Sequence, residues 1–283
     1  MRPENEIGSW LQVAKERLHG VCETPALEAQ VLLSHVLKKP RTWILAHPEE
    51  QIPPSLFAHL DQLLNRLINR EPLPYLLAQW EFFGLRFFIS PAVLIPRPET
   101  ELMVETALRW LQLHPKRRKV ADVGCGSGCI GITLAYHTPE LSVIASDISF
   151  PALQLAKQNV SLHHVESHVH LVQTDLLSSL HCTFDLICAN LPYIPTQTLL
   201  NLPVAKHEPI LALDGGEDGL QLIRRLLQSI QLWIKPGGLI LLEIESSQKE
   251  SSLALASSLL PKATIHCIHD LSDNPRLITI QIP

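Results

Sequence analysis

"VADVGCGSGCIGITLA", Val120 to Ala135, reads as a strand, a glycine-rich turn and a helix in immediate succession. Gly124, Gly126 and Gly128 allow a tight turn and close approach of a ligand to the backbone. The helix that follows opens with N–H groups that have no partner in their own helix. Outward from this turn, apolar runs alternate with helical patterns. Strands are expected at Lys119–Val123, Ser142–Asp147, Val169–Gln173, Phe184–Ala189, Gly238–Ile244, Thr264–His269 and Leu277–Ile282. Such alternation predicts an α/β fold, a doubly wound, seven-stranded and mostly parallel sheet.

Upstream the pattern changes twice. Residues 1–73 read as a small helical domain. Thr24-Pro25 places a cap residue before a proline at the first helical position. "PSLFAHLDQLLNRLINR" puts Leu56, Leu60, Leu63, Leu64 and Leu67 on one helical face. Residues 74–98 read as a β-hairpin linker, with aromatic runs around Gly84 in "EFFGLRFFIS". Residues 99–283 then carry the sheet.

Bulk properties exclude several classes. The chain has 283 residues, 46% hydrophobic and 18% charged, so a folded chain with ample core is expected. No apolar run approaches the length of a membrane span. Met1–Trp10 lacks the layout of a secretory signal, which predicts a cytoplasmic chain. A net charge of −5 gives no general drive toward nucleic acid. "PKRRK", Pro115–Lys119, is expected to be a solvated lead into a strand. The six cysteines form no C-x-x-C pair and are expected as free thiols. His163, His164, His168 and His170 are spaced as zinc ligands can be, but a solvated loop without metal is the expected reading. A monomer is expected.

Two stretches carry chemistry. Asp147 ends the second sheet strand about 20 residues after the turn, where a carboxylate can hold a ribose diol. The turn itself fits both a dinucleotide and S-adenosylmethionine (SAM), because Gly126-Ser127-Gly128-Cys129-Ile130-Gly131 is also a G-x-G-x-x-G. Asp122 favours SAM, since an acid there repels a pyrophosphate and suits a cationic amino-acid end. Asp175 adds a second acid after the third strand. The other stretch is "FDLICANLPYIP", Phe184–Pro195. Its apolar run is a buried strand that Pro192 stops near Asn190. An amide side chain and a stiffened carbonyl at Leu191 therefore sit at the sheet edge where ligands bind in open α/β folds. Glu99 and Glu101 read as helix-start acids, with room for Glu99 near the cofactor. Asp214 and Asp218 read as turn and cap residues.

Asp122-Val-Gly124-Cys125-Gly126-Ser127-Gly128 resembles the SAM motif of class I methyltransferases. In that resemblance Asp147 is the ribose acid, and Asp175 and Leu176 stand beside the adenine. Asn190-Leu191-Pro192-Tyr193 is similar to the motif of methyltransferases that act on planar nitrogens. There the Asn190 side-chain oxygen and the Leu191 carbonyl accept from the NH2 group, and Tyr193 packs against it. These four residues alone leave open adenine N6 in nucleic acid and the side-chain amide of a protein glutamine. "LIPRPETELMVE" (Leu94–Glu105), "EPILALDGGEDGL" (Glu208–Leu220), "LLEI" (Leu241–Ile244) with Gln248, and "DLSDNPR" (Asp270–Arg276) resemble the N5-glutamine methyltransferases of peptide chain release factors. That resemblance implies SAM as methyl donor and the glutamine of the Gly-Gly-Gln motif in class 1 release factors as acceptor. It also implies that the helical domain holds the partner. Leu191 replaces the usual proline and Glu245 the usual glycine after Glu-Ile.

Overall fold

The structure is a computed structural model that describes residues 5–283. The chain divides into two compact units, with the division between Gln79 and Trp80. The first is built, among its described residues, on five helices: α1 (Ile7–Leu18), α2 (Pro25–Leu37), α3 (Arg41–Ala46), α4 (Pro54–Ile68) and α5 (Leu73–Leu77). Pro25 opens α2 as expected, although the Thr24 side chain makes no capping bond. The leucine face of α4 supplies Leu60, Leu63, Leu64 and Leu67 to a core shared with Leu18, Leu32 and Ile44.

The second unit opens on a hairpin of β1 (Gln79–Phe82) and β2 (Leu85–Phe88). Then follow α6 (Glu101–Leu113), β3 (Lys119–Val123), α7 (Cys129–His137), β4 (Ser142–Asp147), α8 (Phe150–Leu162), β5 (Val169–Gln173) and β6 (Phe184–Ala189). After a short α9 (Thr196–Leu199) come α10 (Gln221–Ser229), β7 (Ile234–Glu243), α11 (Lys249–Leu259), β8 (Thr264–His269) and β9 (Pro275–Gln281). The sheet order is β5-β4-β3-β6-β7-β9-β8, parallel except where β9 runs against both β7 and β8. All six residues of β6 are buried, as a central strand covered on both faces requires. The order reverses between β3 and β6, and ligands of doubly wound sheets bind at that reversal.

Two differences from the sequence reading have local causes. β7 begins at Ile234 rather than Gly238. It runs through Pro236-Gly237-Gly238 because the register against β6 shifts between Phe184 and Leu186, an irregularity that absorbs the extra residues. The basic lead before β3 is not simply solvated. Asp185, inside β6, accepts from Arg117 Nη1 at 3.1 Å, Lys235 Nζ at 2.9 Å and the backbone N–H groups of Arg118 and Lys119. Burial raises the Asp185 carboxyl, but these donors together hold it below the ordinary range.

Candidate active site

Register builds the site. Val123 pairs with Ser146 on one side and Ala189 on the other, and Ala189 pairs with Leu242. The next residues along the four strands are Asp147, Gly124, Asn190 and Glu243. They therefore form one row across the carboxyl edge of the sheet.

Above this row lies a cavity of about 290 Å³. Gly124, Cys125, Gly126 and Ser127 of the turn line it, with Asp147, Asp175 and Leu176 from the next two strand ends. Asn190, Leu191 and Pro192 line the same cavity. The turn glycines all have positive φ, +70, +53 and +79° at Gly124, Gly126 and Gly128, which side-chain-bearing residues avoid. Gly128 faces away from the cavity's lining and serves as N-cap of α7. Tyr193 also lies outside that lining. Its backbone carbonyl accepts from Gln248 Nε2 at 2.8 Å, and burial, with Glu243 adding, pushes its hydroxyl well above the ordinary range.

The donors and acceptors suit SAM. Asp147 Oδ2 accepts from Gly126 N and Oδ1 from Ser149 N, each at 2.8 Å. A carboxylate has about four acceptor positions, so capacity for a ribose diol remains. Beyond it, Ile148, Leu176 and Leu222 offer apolar walls for a flat base. Leu176 itself holds φ +53°, a left-handed conformation that a leucine rarely adopts and that recurs at ligand sites. Among the described residues lining the cavity the one basic side chain is Arg225, whose Nη2 is taken by Asp175 Oδ2 at 2.6 Å. No unpaired cation therefore waits for a pyrophosphate.

Asp122 differs from its expected role. It is fully buried and absent from the cavity lining, and its Oδ2 accepts from Gly131 N at 2.8 Å. It pins the first turn of α7 from behind. Burial pushes its carboxyl up to about 7, a shift that the Gly131 bond opposes. The Leu191 side chain packs against the turn. A methyl added at Gly124 would meet Leu191 Cδ2 at 3.1 Å, so the leucine closes over the glycine turn.

Several supporting residues escape sequence reasoning. Asn159 of α8 is fully buried; its Nδ2 donates to Ser127 O (2.9 Å) and Phe88 O (3.1 Å), and its Oδ1 accepts from Phe88 N (2.7 Å). Glu208 accepts from Ile95 N at 3.1 Å and Arg97 Nη2 at 2.5 Å, tying the proline-rich entry segment to the loop after β6. Thr100 and Glu243 are buried beside Asn190, whose Nδ2 donates to Thr100 Oγ1 at 3.1 Å. Thr100, Glu208 and Glu243 lie inside the quoted motifs and Asn159 in none, but no short-range pattern reveals these contacts, because each partner lies far away in sequence.

The remaining sequence-marked residues are accounted for locally. Glu101 accepts from Phe83 N at 2.8 Å and so anchors the hairpin turn. Glu99 stands near Tyr193, Glu243 and Arg276. Asp214 accepts from Thr196 Oγ1 and Gly216 N, and Asp218 from Leu220 N, so both act as turn and cap residues. Glu245 caps the helical turn Ser246–Gln248, with Gln248 Oε1 accepting from Glu245 N in return. His163 and His168 each bond a backbone carbonyl, Arg86 O and Leu141 O. Among the described residues no group of three or more His, Cys, Asp or Glu is placed to hold a metal ion, and no helix is long and apolar enough to cross a membrane.

The sheet is shared with solved methyltransferases. The ribosomal protein L11 methylase of Lactobacillus delbrueckii superposes with a TM-score of 0.51 at 19% identity, over 69% of this chain and 84% of that one. With the row of strand-end residues around the cavity, this is the class I methyltransferase fold. Residues 9–77 match the PrmC N-terminal domain and residues 100–205 the methyltransferase small domain. The release factor glutamine methyltransferase of Moorella thermoacetica is 42% identical over 240 residues, 84% of each chain. That of Clostridium botulinum is 36% identical over 257 residues, 89% of this chain and 90% of the relative. The chain belongs to the release factor glutamine methyltransferase family.

Proposed function

We propose that the protein transfers a methyl group from SAM to the side-chain amide nitrogen, N5, of the glutamine in the Gly-Gly-Gln motif of class 1 release factors. One observation carries the chemistry: Asn190-Leu191-Pro192 lines the same cavity as the glycine turn and Asp147. The choice of glutamine over adenine rests on relatives that match most of the chain, helical unit included.

Bound along the turn, SAM supplies an electrophilic methyl on a sulfonium. The protein's residues do the rest by holding and orienting. Gly124 to Ser127 and Asp147 grip the donor, with Gly128 capping α7 behind them, and Asp175 and Leu176 flank its base. An amide nitrogen is a poor nucleophile because its lone pair is delocalised into the carbonyl. Two acceptors aimed at its two N–H bonds orient it and raise its electron density, and that is the task of Asn190 Oδ1 and the Leu191 carbonyl. Tyr193 packs beside the planar group, held through its backbone by Gln248. Positioning for in-line attack supplies most of the rate. As the N–CH3 bond forms, the S–CH3 bond breaks to a neutral thioether. The nitrogen releases its proton after transfer, so no strong base is required. The helical unit holds the release factor. The protein acts as a monomer in the cytoplasm and needs no nucleic acid.

Incubation with labelled SAM and a purified release factor tests this reading. Label enters the wild-type factor and not its Gly-Gly-Ala variant. Equal labelling of both removes the glutamine from the account.

A further inference from the structure

Asn190 helps the proposed chemistry only if its oxygen, not its NH2 group, faces the acceptor amide. With the amide reversed, two donors would face each other and no bond would form. Nothing within the Asn190 side chain sets that choice, because the two ends of an amide have nearly the same shape. Its surroundings must.

Those surroundings form a short chain of polar groups. Asn190 Nδ2 donates to Thr100 Oγ1 at 3.1 Å. Thr100 stands at the N-cap position of α6 yet makes no capping bond, so its hydroxyl is left for this contact. Glu243 follows Leu242, the strand partner of Ala189, and so lies level with Asn190 on the neighbouring strand. Thr100 and Asn190 lie within hydrogen-bonding reach of its carboxyl. It is 3% exposed, and its Oε2 is buried without a partner. A carboxylate can only accept. Accepting the Thr100 hydroxyl proton would turn a Thr100 lone pair toward Asn190 Nδ2, which donates to that oxygen. That lone pair and the carboxylate together capture the amide NH2. Asn190 Oδ1 is then the end left for the cavity.

We propose that Glu243, acting through Thr100, is the positioning residue that decides which end of the Asn190 amide faces the acceptor nitrogen. The inference rests on the methyl-transfer reading above and adds to it a direction for the hydrogen bonds.

Protonation of Glu243 cancels the device. A neutral carboxyl has a donor of its own, so Thr100 can turn its hydroxyl toward Asn190 and stabilise the reversed amide equally well. Burial pushes the Glu243 carboxyl up to about 7; the Thr100 bond opposes this, Glu99 adds to it, and Arg276 and Asn190 oppose it. Tyr193 and Cys129 also face it, but burial raises both, so they stay protonated near neutrality. Transfer should therefore fall as pH drops through about 7.

The test uses the full chain, a purified release factor and labelled SAM, with kcat and KM followed on both sides of that pH. The wild type should show the acid limb. E243Q and T100V keep the shape of the side chains and should lose roughly tenfold to hundredfold in kcat, the scale at which orienting partners act on a site. KM for SAM should stay unchanged, and the acid limb should vanish in E243Q. T100S keeps the hydroxyl and should retain activity. Thermal unfolding checks each variant, and the Thr100 pair decides the matter alone if E243Q does not fold. Wild-type kcat in T100V or E243Q, or an acid limb that survives in E243Q, overturns the inference. A wild type that labels the Gly-Gly-Ala factor equally removes the underlying reading, and this inference with it.

Discussion

Replacing Asn159 with alanine should loosen two parts of the methyltransferase unit at once. Three neutral hydrogen bonds disappear: Nδ2 to Ser127 O, Nδ2 to Phe88 O and Phe88 N to Oδ1. Each contributes about 1 kcal/mol net, so the loss is about 3 kcal/mol before any cost of leaving the partner groups unsatisfied. For a unit of this size, ~2–4 °C per kcal/mol makes that roughly 6–12 °C in Tm. Thermal unfolding of the full chain should show the shift in the transition of the second unit. Hydrogen exchange should show the Phe88 amide losing protection. SAM binding, measured by calorimetry, should weaken because Ser127 belongs to the cavity wall. A Tm within about 2 °C of wild type, together with a protected Phe88 amide, would refute the view that Asn159 ties β2 to the glycine turn.

Other outcomes follow from the same geometry. Asn190→Ala should cut methyl transfer by about 10²–10³, the usual loss for one oriented electrostatic group, while calorimetry finds SAM binding nearly unchanged. Gly219→Ala should destabilise by about 1–3 kcal/mol in urea unfolding and slow transfer. Gly219 holds φ +75°, and an added methyl would collide with the Tyr193 carbonyl. Asp185→Asn should flatten the acid side of the stability profile. The wild-type carboxyl titrates below its ordinary value, so its contribution is full above the unfolded value of about 3.9 and is lost as pH falls through the lower folded one. Urea unfolding across acidic pH compares the two.

Local patterns in the chain made much of the sheet legible. β3, β4, β5, β6 and β8 are apolar runs bounded by turn residues, and their limits match the strands observed. β7 was harder because Pro236-Gly237-Gly238 looks like a break, while the strand passes through it on a register shift visible only with its partner. The cavity residues were legible for a related reason. Gly124 and Asn190 each follow a strand end directly and Asp147 is one, so strand limits alone bring them to one edge. Asp122 shows where such reasoning stops. Its place beside the turn suggested a ligand contact, but the side chain points back into α7, and backbone direction decides that. Thr100, Asn159, Glu208 and Glu243 act through partners dozens of residues away, and only tertiary structure brings them together.

Tandem mass spectrometry of a release factor after incubation with the protein and SAM tests the central claim most directly. The account predicts one added methyl, on the side-chain amide nitrogen of the Gly-Gly-Gln glutamine. A methyl on any other residue, or an unmodified factor beside methylated nucleic acid, would contradict it.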